Sequence, residues 1–104
     1  MADCVQVLTT VDSEEAAERL ARGMVDGRLA ACVQVVGPIC SVYRWQGVVQ
    51  AEQEWQCLAK TTAERLDELV EHLGRHHPYD LPEIIATPIV GGSQDYLRWV
   101  SEQV

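Results

Sequence analysis

The sequence predicts an α+β fold, one four-stranded antiparallel sheet with helices packed on it, and three observations carry that expectation. β-Branched runs alternate with stretches of helical period in the order β-α-β-β-α-β, and one more helical stretch follows. The middle of the chain holds a hairpin signal whose second arm runs without Gly or Pro over residues 48–60. Gly and Pro otherwise punctuate the boundaries between periodic segments, with no repeat or linker, so residues 1–104 read as a single domain.

Each element has its own warrant. The first strand, Cys4–Val11, is short and β-branched and runs into Asp12-Ser13-Glu14-Glu15, where Asp12 with Glu15 makes a capping box. Ala16, Leu20 and Met24, with Ala17, Ala21 and Val25 beside them, recur every four residues. Glu14, Glu18, Arg22 and Asp26 take the other side, which describes an amphipathic helix stopped by Gly27. Residues 29–36 read as strand, and Gly37-Pro38 bends or bulges it before 39–45 resume. Gln46-Gly47 suits a tight turn that needs positive φ. A second capping box, Thr61 with Glu64, opens a helix striped by Leu66, Leu69, Val70 and Leu73 and ended by Gly74. The last strand covers 83–90, where Pro88 lacks an N–H and therefore belongs at a sheet edge or a bulge. Ser93 caps a short closing helix that begins at Tyr96. Right-handed crossovers fold this order into a ferredoxin-like βαββαβ sandwich with a C-terminal helix and two helices on one face.

The hairpin arm sets a geometric problem. Thirteen residues of strand reach about 43 Å, whereas a helix of equal count covers about 20 Å. The hairpin therefore overhangs its own helices, and Trp45, Val49, Trp55 and Leu58 sit on backbone that nothing local shields. Self-association covers them; the competing solutions are an arm coiled around its own sheet, or residues 51–54 (AEQE) looping out.

Composition excludes several classes. Eight basic against sixteen acidic side chains leave a net charge of −8, and Lys60 is the single lysine, so no broad basic footprint exists for nucleic acid. No apolar run approaches a membrane span and no signal-like n-region and h-region open the chain, which points to a soluble cytoplasmic protein. Cys4, Cys32, Cys40 and Cys57 form no Cys-x-x-Cys pair and fall in strand-like segments, as expected of buried reduced thiols rather than a disulfide or zinc framework. The chain has no Phe for the aromatic strand motif of an RNA-recognition module, and no Asn of the kind an acylphosphatase would need.

Residues 75–83 (RHHPYDLPE) concentrate chemistry between the second helix and the last strand. His72 and His76 have the i, i+4 spacing of a metal pair, and His77 adds a third imidazole; solvated imidazoles favoured by a helix C-terminus are the plainer alternative. Lys60 with Glu83 nearby could form a partly buried charge site or a structural ion pair. Tyr43, Arg44, Trp45, Tyr79, Tyr96 and Trp99 read mostly as packing. No Ser-His-Asp spacing, phosphate loop or close Cys-His pair is present, so the chain does not read as an enzyme.

A specific resemblance rests on Arg28-Leu29-Ala30-Ala31-Cys32-Val33, Tyr43-Arg44-Trp45-x-Gly47, Lys60-Thr61 and His77-Pro78-Tyr79-Asp80-Leu81-Pro82-Glu83-Ile84-Ile85, in that order. Pro88-Ile89-x-x-Gly92 and Tyr96-Leu97-x-Trp99-Val100 extend it, so that it spans Val7 to Val100. The chain resembles the CutA divalent-cation tolerance family. The resemblance implies a ferredoxin-like homotrimer whose long hairpins pair between subunits, similar in architecture to nitrogen-regulatory signalling trimers. It implies a response to divalent metal, copper or another, with ligands mapping onto His76 and His77. Thr9 stands where some members carry a cysteine, which removes a soft ligand and makes weak binding the expectation. The resemblance also implies an intersubunit cleft, to which Cys32, Lys60, Tyr79, Glu83, Tyr96 and Trp99 are assigned as ligand-binding residues. Two functions follow: divalent-cation tolerance through weakly bound metal, or a trimeric small-ligand sensing or signalling scaffold in which metal is incidental.

Overall fold

Alternation along the first strand sorts the sheet into two faces. In the computed structural model, which describes residues 3–104, β1 (Cys4–Val11) turns Val5, Val7, Thr9 and Val11 to one side and Cys4, Gln6, Leu8 and Thr10 to the other. Helix α1 (Glu14–Asp26) follows, then β2 (Cys32–Trp45), β3 (Val48–Thr62), a 3₁₀ turn (Ala63–Arg65), α2 (Leu66–His76), β4 (Ile84–Pro88) and α3 (Gln94–Gln103). The four strands form one antiparallel sheet in the order β2-β3-β1-β4.

The valine face carries the main core. Val5, Val7 and Val11 join Cys57 and Ala59 of β3, Ala17, Leu20 and Met24 of α1, and Leu69 and Leu73 of α2 in one buried cluster. Thr9 and Thr61 lie buried on the same face, and their hydroxyls lack partners among the described residues. On the other face α3 closes a smaller cluster of Cys4, Ala31 and Val100.

Several boundaries differ from the sequence expectation for local reasons. Ser13, not Asp12, caps α1: its backbone is extended and its Oγ accepts the Ala16 N–H at 3.1 Å. Residues 29–31 are not strand, because Arg28 turns at φ 57° and the Leu29 and Ala30 N–H groups wrap onto the Met24 carbonyl. Thr61 makes no second capping box; it still belongs to β3, and the 3₁₀ turn intervenes before α2. Helix α2 runs through Gly74 to His76 and stops at His77, whose extended conformation suits the residue before Pro78. The last strand is shorter than 83–90, and the closing helix starts at Gln94 with Ser93 Oγ accepting the Tyr96 N–H.

The hairpin forms as expected. Gln46 and Gly47 turn at φ 50° and 79°, and the register slips between Val36 and Ile39, where Gly37-Pro38 lies. Gly37 is needed there because a Cβ would run into the Trp55 ring. Trp55 and Leu58 are thus both half-buried, contrary to expectation, and Trp55 packs against the main core. Beyond the bulge Val42, Val48 and Val49 stay 68%, 60% and 59% exposed, which stretches the molecule to 45 × 25 × 22 Å. The edge strand β4 holds Pro88 opposite Val5.

Candidate functional site

The end of α2 and the segment leading to β4 hold most of the chemistry. Because α2 continues past Gly74, His72 and His76 realise their helical spacing, with ring centroids 4.4 Å apart. They border a cavity of about 230 Å³ with Arg19, Leu20 and Pro78. Desolvation, then the charges of His76 and Arg75, hold His72 below the usual imidazole range.

His77 has different surroundings. It is buried, its Nε2 donates to the Thr10 carbonyl at 2.9 Å, and its Nδ1 accepts the Tyr79 N–H at 3.1 Å. Both ring nitrogens are engaged, so as folded the ring pins the 77–83 segment to β1 and has no lone pair to spare for a metal. His76 and His77, expected as one ligand pair, therefore point to separate environments. Among the described residues no group of three or more His, Cys, Asp or Glu side chains is placed to hold a metal. A cation at this end of α2 would rest on His76 with His72, two imidazoles one turn apart, a donor set that fits weak binding of copper or a similar borderline ion.

Past His77 the chain walls a second cavity, of about 380 Å³, lined by Thr10, Tyr43, Trp45, Glu54, Tyr79, Asp80, Leu81 and Glu83. Glu54 is only 8% exposed, and its Oε2 accepts the Tyr79 hydroxyl at 2.7 Å. Desolvation together with the hydrogen bond and charge of Glu54 pushes the Tyr79 phenol well up; Tyr43 is also raised, by desolvation, Glu52 and Glu54. The sequence points to Tyr79 and Glu83 as ligand-binding residues, but it assigns no site to Glu54, Tyr43, Trp45 or Asp80. Glu54 escapes because residues 51–54 have a looped-out alternative and nothing local marks a site there. The alternation that puts Glu54, Gln56, Leu58 and Lys60 on one face of β3 is the available signal.

The remaining expected residues gather elsewhere on that face. Cys32 and Lys60 are cross-strand partners. Cys32 Sγ lies 3.2 Å from Tyr96 Oη, the Tyr96 and Trp99 rings are 5.5 Å apart, and Lys60 bonds Gln34 rather than a carboxylate. The expected nearness of Lys60 and Glu83 is therefore not met within one chain. Lys60 and Glu54 are six residues apart on β3, a span of about 20 Å. The six cleft residues thus fall into two groups: Cys32, Lys60, Tyr96 and Trp99 beside α3, and Tyr79 and Glu83 at the cavity beyond His77.

A four-stranded antiparallel sheet with three helices and an overlong hairpin places the chain in the α+β class. The profile of the CutA1 divalent ion tolerance protein family matches residues 5–103. The chain belongs to that family. It is 48% identical over 96 residues to the divalent-cation tolerance protein CutA of Thermus thermophilus, covering 92% of this chain and 93% of that protein. A solved structure of a divalent cation tolerance protein from Thermus thermophilus superposes with a TM-score of 0.93 at 46% identity, over 96% of this chain and 97% of that one. A CutA structure from Synechococcus elongatus, complexed with a Bis-Tris molecule, gives 0.91 at 40% identity, over 100% of this chain and 96% of that one. No helix among the described residues is long and apolar enough to cross a membrane.

Proposed function

We propose that the whole chain acts as one ferredoxin-like domain, assembles as a cytoplasmic homotrimer and serves divalent-cation tolerance by binding copper or another divalent cation weakly, without turnover. The observation that carries the metal reading is the His72–His76 pair on the exposed end of α2, in a chain of the divalent ion tolerance family. His76 is the ligand retained from the sequence expectation, and His77 serves by holding the segment that follows. The bare valines of the hairpin support assembly, since an exposed apolar ribbon at strand edges invites pairing with further copies. Cys32, Cys40 and Cys57 form no disulfide among the described residues, which fits a reducing compartment.

Calorimetric titration of copper(II) tests the metal reading. His76→Ala and His72→Ala are each expected to weaken binding by roughly tenfold or more, as loss of one of two ligands should. Unchanged affinity in both variants would sink it.

A second reading is favoured by the cavity at Glu54: a trimeric ligand-sensing scaffold in which metal is incidental. Its cleft would join Cys32, Lys60, Tyr96 and Trp99 of one copy to Tyr79 and Glu83 of the next, with Lys60 as a point charge for a small anion. The similar CutA of Synechococcus elongatus is complexed with a Bis-Tris molecule, which supports small-molecule binding by this chain. Saturable binding of inorganic phosphate, abolished by Lys60→Ala, is the expected result.

A further inference from the structure

We propose that the cavity between α1 and α2 takes its divalent cation together with a small oxyanion of the carbonate class, His72 and His76 holding the metal and Arg19 the anion. The proposal deepens the metal reading and rests on it. Helices α1 and α2 lie over the valine face, whereas Glu54 and Lys60 are on the opposite face of β3. Assembly through that opposite face and the bare hairpin therefore does not use this surface. Two one-turn pairs border the cavity. Arg19 and Gly23 are four residues apart on α1, His72 and His76 four apart on α2, and all of them line the same space of about 230 Å³. A Cβ at Gly23 would stand 3.4 Å from His72 Nε2, an ordinary contact distance, so a methyl there would cover that nitrogen without a clash. Glycine weakens a helix interior relative to alanine, yet α1 carries it at this position.

The imidazole pair leaves the coordination of the ion incomplete. Copper(II) and zinc take about four donors, and among the described residues no third His, Cys, Asp or Glu side chain is placed to join the two rings. Nor does a carboxylate line the cavity to offset the charge of a dication; the charged side chain in the lining besides the histidines is Arg19. Among the described residues Arg19 has no hydrogen-bond or ion-pair partner, whereas Arg22 on the same helix pairs with Glu18. A guanidinium repels a bare dication, but its two parallel N–H donors match the edge of a planar oxyanion. An oxyanion shared between Arg19 and the metal supplies both the missing donors and the missing negative charge. The cavity is smaller than the roughly 300 Å³ at which drug-sized pockets begin, which limits the anion to a few heavy atoms.

Copper(II) is the probe, titrated calorimetrically into the assembled protein near neutral pH in sodium bicarbonate and in sodium chloride, at matched ionic strength and matched free copper activity. Bicarbonate is expected to tighten copper binding about tenfold. Arg19→Gln changes an exposed side chain and should lose that gain, yet bind copper in chloride as tightly as the unaltered chain or more tightly, because a repelling charge is gone. An arginine with a merely structural role would weaken both titrations when replaced. Gly23→Ala suits the helix and is expected to weaken copper about tenfold in both buffers with assembled mass unchanged. Equal copper affinity in bicarbonate and chloride, or a bicarbonate gain that survives Arg19→Gln, would overturn the proposal and leave the metal reading standing. Full affinity in Gly23→Ala would place the ion outside this cavity and overturn the proposal as well. Copper binding in neither buffer would remove the metal reading and the proposal together.

Discussion

The two ends of the hairpin are made of similar residues and meet opposite fates. Near β1, Cys57 and Ala59 of β3 are sealed under α1 and α2 with Val7, Leu69 and Leu73. Beyond the bulge, Val42, Val48 and Val49 sit on the same two strands with most of their surface in water. β-Branched composition makes a strand at either end; what it becomes depends on whether another layer lies above it. A single copy supplies that layer for only half of its longest strands. The Gly37 bulge, with Trp55 packed where a Cβ would stand, marks the border.

The contrast can be broken most severely from the covered half. Leu73→Ala empties a fully buried site between α2 and the sheet and is expected to cost about 2–5 kcal/mol, read from denaturant midpoints at fixed protein concentration. A smaller loss would mean that α2 collapses onto the gap.

A pH series comes next in size. Burial, more than the Thr10 hydrogen bond or the charges of Asp12 and Glu54, holds His77 below its ordinary value of 6.5, so the folded state prefers the neutral ring. The unfolded chain then binds the proton more readily, and stability present above pH 6.5 is expected to fall as pH drops through that value toward the lower folded one. His77→Gln should flatten this acid limb; an identical limb in the variant would assign it to other groups. The smallest effect within one copy belongs to the bare half. Val42→Thr with Val49→Thr should change the stability of a single copy by less than about 0.5 kcal/mol, yet lower the sedimenting mass. An unchanged mass would show that the exposed ribbon is not an assembly surface.

How much of this was legible depended on how local the cause was. Strand and helix periodicity, the Gln46-Gly47 turn, the bulge at Gly37-Pro38 and the edge position of Pro88 all follow from backbone chemistry within a few residues, and each is found. Gly74 misled, because a glycine inside a helix costs only about 1 kcal/mol and Pro78 is the firmer stop. The proposed metal pair shifted for that reason: two further residues of helix carried His76 over His72.

By itself the sequence determined the order of elements, the acidic balance of the chain, and the family, since these are properties of neighbours along the chain and of totals. Tertiary structure alone decided that His77 spends both nitrogens on backbone, that Glu54 is buried against Tyr79, and that Lys60 and Tyr79 lie at opposite ends of one face. Those outcomes depend on strand register and on which distant segment crosses above, and a side chain's surroundings change completely with a shift of one residue.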